Sequence, residues 1–231
     1  RRSPAGGPPG SAPRARQLVA AAHGLTLGNA WLERTFPERP SWRVPTCVDP
    51  AAWSVPDRAA RRGPCVLGWI GTSGNLSPLE RLAPVLSAVQ QDTGARLRVV
   101  CDRAPALPGV DVEFVPWTLA GEVADVLAFD VGLAPLDDGP MQRAKCGLKA
   151  LQYMAAGLPV VASPVGVLTD MVDDDVSGHL ARTPEDWASA LTRLAAEPAR
   201  RLRLGARGRA LVEQHWSYAR HLSALEAALR G

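Results

Sequence analysis

The sequence predicts an α/β fold, a Rossmann-like parallel sheet with helices on both faces. Between Cys65 and Ser163, apolar runs of strand length alternate with amphipathic segments of about ten to sixteen residues. Strands separated by helices of this length are joined by right-handed crossovers, so they lie parallel in one sheet. The chain has 231 residues, 46% of them hydrophobic, which suffices to bury a core on both faces of such a sheet.

The elements can be placed in order along this region. Strands are predicted at CVLGWIG, LRVVC, VDVEFVPW, FDVGLAPL and PVVAS, which begin at residues 65, 97, 110, 129 and 159. Helices are predicted at LSPLERLAPVLSAVQQ, at LAGEVADVLA and in the segment that contains both lysines. Further helices that begin near Thr183, Leu202 and Tyr218 complete the domain. Ligands of doubly wound sheets bind beyond the carboxyl ends of the strands, so the loops there form the candidate site.

The segment QRAKCGLKALQYMAAGLPVVASPVG, residues 142–166, carries the strongest functional signal. Lys145 and Lys149 are the only lysines of the chain, and they lie about one turn apart at the start of a predicted helix. Arg143 adds a third cation, and Gly147 lies between the lysines. A helix N-terminus with free N–H groups, a glycine and several cations is typical of a phosphate site. The alternative is a solvated basic helix start that binds nothing.

The same segment, from RAKCGLKALQ to ASPVG, resembles the donor-site segment of the family 4 retaining glycosyltransferases. The resemblance extends to WIGTSGNLSPLERL, FDVGLAPL, DDDVSGHLA and RGRALVEQHWS, in the same order, and covers the chain from about residue 43 to its end. It implies a GT-B fold, in which two Rossmann-like domains face each other across a cleft. The C-terminal domain binds a nucleoside-diphosphate-sugar, and the N-terminal domain binds the acceptor. It also implies transfer of the sugar with retention of configuration.

On this resemblance the chain is the C-terminal, donor-binding half of a longer enzyme that is truncated at its N-terminus. Residues 1–16, rich in Pro, Gly and Ser, are predicted to be a disordered tail. Residues 17–58 would be a remnant of the acceptor domain and the interdomain linker, and residues 59–231 the donor-binding domain with its C-terminal helices. The expected partners are the nucleotide-sugar and the missing N-terminal domain with its acceptor. This fragment alone is expected to be inactive, and peripheral membrane association through the missing domain stays open.

The resemblance and the residue chemistry together assign the site. Lys145 and Lys149 would stabilise the leaving diphosphate without a metal, because fixed cations and N–H dipoles can stabilise developing negative charge. Trp117 would either stack on the nucleotide base or cover the sheet edge. The loop after the first predicted strand would offer neutral hydrogen bonds, although a plain turn has the same composition. The predicted donor-binding residues are Gly71, Thr72, Ser73, Asn75, Trp117, Arg143, Cys146, Gly147 and Gln152.

Two positions depart from the family pattern. Many relatives carry two glutamates eight residues apart, one near the sugar and one near the ribose, where this chain has Ala144 and Gln152. Gln152 can hydrogen-bond a ribose hydroxyl, although more weakly than a carboxylate, whereas Ala144 offers no polar side chain. A non-catalytic nucleotide- or sugar-binding module therefore remains an alternative. A flavodoxin-like regulatory domain is a further alternative, but the loops lack the acidic phospho-acceptor that it needs.

Composition disfavours several other classes. The formal net charge is +3 and the arginines are dispersed, without the basic stripe that nucleic-acid binding needs. Neither the acidic residues nor the four cysteines have metal-site spacing, and no cofactor besides the nucleotide-sugar substrate is expected. No stretch is long and apolar enough to span a membrane. Cys65 and Cys101 lie in apolar runs, which predicts buried free thiols and a reducing, cytoplasmic location. The high Ala, Arg, Gly and Pro content indicates a GC-rich bacterial genome.

Overall fold

The computed structural model describes residues 11–55, 57–59 and 61–230 of the protein. Its first elements form a small unit of their own, in which two strands pair in parallel as a separate two-stranded sheet. These elements are Ser11–Ala21 (α1), Leu25–Leu27 (β1), Ala30–Thr35 (α2) and Ser41–Arg43 (β2).

The start of α1 corrects one expectation. The prediction of disorder through residue 16 is wrong from Ser11 onward, where the chain is helical. Four alanines and two arginines favour a helix in SAPRARQLVAA, and a proline in the first turn is tolerated. Residues 1–10, the rest of that prediction, lie outside the described residues.

The main sheet follows and has six strands, all paired in parallel. They are Val66–Ile70 (β3), Arg96–Cys101 (β4), Val112–Pro116 (β5), Val131–Ala134 (β6), Val160–Ala162 (β7) and Gly178–Leu180 (β8). The strand order is β5-β4-β3-β6-β7-β8. The predicted parallel sheet is thus confirmed, and β8 is a strand that the sequence pattern did not indicate, because three residues show no periodicity.

Helices cover both faces of this sheet. They are Ser77–Glu80 (α3), Ala83–Thr93 (α4), Glu122–Leu127 (α5), Pro140–Arg143 (α6), Leu148–Ala155 (α7), Leu168–Met171 (α8), Pro184–Ala196 (α9), Pro198–His215 (α10) and Tyr218–Arg230 (α11). Side chains of a strand alternate between the faces. Leu67 and Trp69 of β3 therefore join a core with α4 and α9, while Ile70 joins a core with α5, α7 and α10.

The strand order reverses next to β3. The chain runs from β3 outward to β4 and β5, and then returns to place β6, β7 and β8 on the other side of β3. Such a reversal leaves a crevice between the carboxyl ends of the two central strands, here β3 and β6. The fully buried Tyr153 of α7 fixes one wall of this crevice, since its hydroxyl accepts a hydrogen bond of 3.0 Å from the backbone N–H of Ile70.

Two further expectations concern the core and the segment before it. Cys65 and Cys101 are buried free thiols as predicted, and burial raises the pKa of Cys65 to about 12.

The segment before β3 packs on the C-terminal helices: α11 lies against β1 and β2, and the N–H of Val48 donates to the carbonyl oxygen of Trp216 at 3.1 Å. The assignment of residues 17–58 to a second domain and a linker remains a prediction.

Candidate functional site

A cavity of about 360 Å³ lies at the crevice between the carboxyl ends of β3 and β6. Its walls come from the end of β6, the first turn of α7 and the lysine loop, residues 144–147, that precedes this helix. The residues of the cavity that carry the argument are Trp69, Asn75, Lys145, Cys146, Gly147 and Lys149. The fold therefore brings both lysines and three of the predicted donor-binding residues to one cavity.

Lys149 is the more buried of the two lysines in this cavity. Its Nζ atom is 4.1 Å from the centre of the Trp69 ring, which places the ammonium group over the aromatic face. Desolvation by burial, followed by the charge of Lys145, lowers the pKa of Lys149 to about 8. The sequence pattern indicated a lysine on an open helix start, and the structure places it against the core instead.

Lys145 connects the lysine loop to the loop after β3. Its Nζ atom donates a hydrogen bond of 2.6 Å to Oδ1 of Asn75, and Nδ2 of Asn75 donates to Oγ1 of Thr72 at 2.9 Å. Burial lowers the pKa of Lys145, while the charge of Asp137 raises it. Two of the predicted polar residues thus orient a lysine.

The start of α7 is open to an anion. Gly147 precedes the helix with a φ of 70°, a left-handed conformation that favours glycine, and a methyl group there would also approach the Sδ atom of Met171 to 2.6 Å. Within the described part of the chain, no side chain caps this helix and its first turn contains no acidic residue. Its first N–H groups therefore carry the partial positive charge of the helix dipole without a counter-charge.

Ser73 is held by a carboxylate that the sequence analysis did not select. Its backbone N–H and its Oγ donate to the two oxygens of Asp102, at 2.6 and 2.8 Å. These hydrogen bonds lower the pKa of Asp102 to about 2, so the carboxylate is charged at neutral pH. The available signal was its position directly after β4, at the same edge of the sheet as the lysines.

A polar chain links Trp117 to Gln152 through Glu122, another residue that the sequence analysis missed. Nε1 of Trp117 donates to one oxygen of Glu122 at 3.0 Å, and Nε2 of Gln152 donates to the other at 2.7 Å. Gln152 is 7% exposed, whereas Trp117 is 42% exposed and its ring remains open to a ligand. Glu122 begins α5, five residues after Trp117, and this proximity was the readable signal.

Arg143 is not brought together with the lysines. Its guanidinium pairs with both oxygens of Asp138, at 2.6 and 2.7 Å, and this pairing raises the pKa of the arginine. It lines a separate cavity of about 350 Å³ that also contains Asn29, Trp31 and Asp170. A role for Arg143 at the donor remains a prediction, but its charge is already balanced by Asp138.

Residues 11–55, 57–59 and 61–230 lack two other features. They contain no group of three or more His, Cys, Asp or Glu side chains arranged to hold a metal ion. They also contain no helix with the length and hydrophobicity needed to cross a membrane.

Comparison with known proteins identifies the family of this chain. The profile of the family described as "Glycosyl transferases group 1" matches residues 64–197, which include β3, the lysine loop and α7. The chain belongs to the group 1 glycosyltransferases. The matched range contains all the predicted donor-site residues.

Curated relatives of this group 1 glycosyltransferase share a name. The chain is 33% identical over 188 residues to a D-inositol 3-phosphate glycosyltransferase of Stackebrandtia nassauensis, an alignment that covers 71% of this chain and 42% of the relative. It is 47% identical over 88 residues to a protein of the same name from Saccharomonospora viridis, covering 37% and 20%. The chain thus spans less than half the length of these relatives.

Solved structures confirm the fold of the group 1 domain. A variant of S. aureus TarM in complex with fondaparinux, α-GlcNAc-glycerol and UDP superimposes with a TM-score of 0.76 at 15% identity, over 97% of this chain and 47% of TarM. Sucrose-phosphate synthase from Thermosynechococcus elongatus gives a TM-score of 0.72 at 19% identity, over 93% and 59%. These are GT-B glycosyltransferases, as the sequence resemblance implied.

Proposed function

We propose that this chain is the donor-binding part of a retaining family 4 glycosyltransferase that uses a nucleoside-diphosphate-sugar. The observation that carries the proposal is the pair of ammonium groups of Lys145 and Lys149 beside the open N-terminus of α7. These cations and N–H groups surround a cavity at the point where the strand order reverses. A diphosphate is the donor group whose charge complements such a site.

The chemistry requires stabilisation of the leaving group. During transfer, the bond between the anomeric carbon and a diphosphate oxygen breaks, and the diphosphate takes the bonding electrons. A hydroxyl oxygen of the acceptor forms the new bond to that carbon, and its proton passes to the leaving diphosphate oxygen. The charge that develops on the diphosphate would be stabilised by Lys145, by Lys149 and by the N–H groups around Gly147. A bound anion raises the pKa of Lys149 above its value of about 8, so the lysine is protonated when the donor is in place.

The nucleoside end would lie at Trp117 and Gln152. Gln152 follows Lys149 by three residues on α7 and therefore lies on the same side of the helix. Because a carboxylate only accepts hydrogen bonds, Glu122 fixes the Gln152 amide with its NH₂ group toward the carboxylate and leaves Oε1 as an acceptor for a ribose hydroxyl. Glu122 itself supplies the negative charge that relatives carry at the position of Gln152.

The names of the relatives suggest which substrates to test first. UDP is named with the solved structure of S. aureus TarM and with Anabaena HepE, so UDP-sugars are the donors to test first. The names of the curated relatives make a hydroxyl of a phosphorylated inositol the first acceptor to test. Because the chain spans 42% of the first of these relatives, the acceptor side would come from a further domain. We also propose a cytoplasmic bacterial enzyme and no cofactor besides the donor.

A non-catalytic binding module is the second candidate, because Ala144 lacks the carboxylate that relatives place near the sugar. Titration calorimetry with UDP, GDP, ADP and their glucose conjugates tests both candidates. We expect one nucleoside diphosphate to bind, no transfer by this chain alone, and transfer with retention once a complete N-terminal domain is attached. Binding without transfer by the extended protein would favour the module. Absence of any nucleotide binding would contradict the glycosyltransferase and a nucleotide-binding module, and would leave only a sugar-binding module.

A further inference from the structure

The turn at Gly28 and Asn29, directly before α2, contacts the lysine loop. The side chain of Asn29 is polar but only 4% of the residue is exposed. Its Nδ2 atom donates to the carbonyl oxygens of Lys145, at 3.0 Å, and Arg143, at 3.3 Å. Its Oδ1 atom accepts from the N–H of Leu32 at 3.0 Å and caps α2. One buried amide therefore joins the start of α2 to the backbone of the lysine loop.

Gly28 contacts the same loop from the adjacent position. A methyl group on its Cα would overlap the Sγ atom of Cys146, whereas the Cβ of Cys146 would be 3.6 Å away. Gly28 lies outside the left-handed region, so its backbone conformation is open to other residues and the restriction comes from space alone. Cys146, which lines the cavity, thus packs where Gly28 has no side chain.

We propose that Gly28 and Asn29 are positioning residues of the donor site. They hold the lysine loop so that Lys145 reaches Asn75 and the N-terminus of α7 stays open to the diphosphate. That the ligand is a diphosphate rests on the proposed function. That Gly28 and Asn29 hold the conformation of the lysine loop does not depend on it. Without Nδ2, the carbonyl groups of Arg143 and Lys145 lose a buried partner, and the loop moves to reach water.

Two substitutions separate this role from helix capping. Asn29→Asp keeps the shape of the side chain and a good capping oxygen for Leu32, but replaces the donor by a second acceptor that faces the two carbonyl groups. Asn29→Ser also keeps a cap, introduces no charge and is too short to bond both carbonyls, so it serves if the aspartate variant fails to fold. Thr183→Ala is the matched control, because Thr183 caps α9 in the same way, through the N–H of Asp186.

Two measurements on the full chain decide the proposal. Hydrogen exchange resolved by mass spectrometry reports the loop without any ligand, and calorimetry with inorganic pyrophosphate reports the diphosphate site without a base. Both Asn29 variants should increase exchange in residues 143–150 at least fivefold and weaken pyrophosphate binding about tenfold. Thr183→Ala should lower the melting temperature and change neither quantity. Unchanged exchange in the loop of a folded Asn29 variant would overturn the proposal.

A double-mutant cycle tests Gly28 separately. Gly28→Ala should weaken pyrophosphate binding by displacing Cys146, and adding Cys146→Ala should restore most of that loss relative to Cys146→Ala alone, since it removes the overlapping sulfur. Additive losses would overturn the role of Gly28. If the parent chain binds no pyrophosphate, the proposed function fails, while the positioning of the loop is still decided by hydrogen exchange.

Discussion

The ammonium group of Lys149 lies over the indole ring of Trp69, 4.1 Å from its centre, on the floor of the crevice between β3 and β6. The ring gives the charge partial compensation, worth about 1–2 kcal/mol in a desolvated setting. Desolvation nevertheless lowers the pKa of the lysine from 10.5 to about 8. The folded protein therefore contains a cation that an anionic ligand would stabilise.

Lys149→Ala should weaken the binding of a nucleoside diphosphate by roughly 1.5–3 kcal/mol, which is about ten- to a hundred-fold in dissociation constant. The nucleoside without phosphates should bind the variant and the parent equally, because it does not reach the ammonium group. Calorimetry with UDP and uridine measures both. An equal loss for the two ligands would mean that the lysine has a structural role.

Lys149→Met should stabilise the protein in the absence of ligand. A pKa lowered from 10.5 to about 8 corresponds to at most roughly 3 kcal/mol of desolvation cost, and the loss of the contact with Trp69 offsets about 1–2 kcal/mol of it. The net gain in unfolding free energy at pH 7 should be about 1–2 kcal/mol, measured by urea denaturation.

The extra stability of the Lys149→Met variant should depend on pH, because the pKa of Lys149 is lower in the folded protein than in the unfolded chain. Between pH 8 and 10.5 the unfolded lysine keeps its proton while the folded one has released it, so the stability of the parent rises with pH. The advantage of the methionine variant should be complete below about pH 8 and should shrink as the pH approaches 10. A gain that is constant from pH 7 to 9.5 would contradict burial as the cause.

Gly71→Ala should impair the same site from the other side of the crevice. A methyl group on Gly71 would overlap the Nζ atom of Lys149, so the lysine must move away from the ring of Trp69. We expect about a tenfold loss in affinity for UDP. In the Lys149→Ala background the same change should have a smaller effect, since only the 2.7 Å approach of the methyl group to the Trp69 ring is left. Additive losses in the double variant would show that Gly71 acts on its own.

Glu122→Ala should affect the nucleoside end. It removes the acceptor that holds both the Gln152 amide and the Trp117 indole, so uridine and UDP should both lose affinity, by about three- to tenfold. Pyrophosphate binding should not change. This pattern is the reverse of the one expected for Lys149, and a loss confined to the diphosphates would contradict a nucleoside role for Glu122.

The sequence predicted the sheet and the lysine segment because both depend on short-range patterns. Periodicity identifies strands such as Val66–Ile70, and the chain order of strands and helices fixes parallel pairing. Local composition misled the prediction at Ser11–Ala21, where a serine and a proline stand in the first turn of an alanine-rich helix. The pairing of β1 with β2 was invisible because each strand has only three residues.

The details of the site were less predictable because they depend on contacts between distant positions. Asp102 binds Ser73 across 29 residues, and Glu122 binds Gln152 across 30. No spacing rule connects such pairs, and only the parallel sheet brings them to one edge. The same holds for Arg143, whose sequence position groups it with Lys145 although its side chain pairs with Asp138.

The restriction of lysine to positions 145 and 149 has a consequence for chemistry at this site. All other basic side chains are arginine or histidine, so reductive methylation of side-chain amines modifies only the two residues in the cavity. Burial lowers the pKa of Lys149 to about 8, which raises its free-amine fraction near neutral pH. A ¹³C-methyl label would thus give two lysine resonances beside that of the α-amine, and both lysine resonances would report directly on occupancy of the crevice.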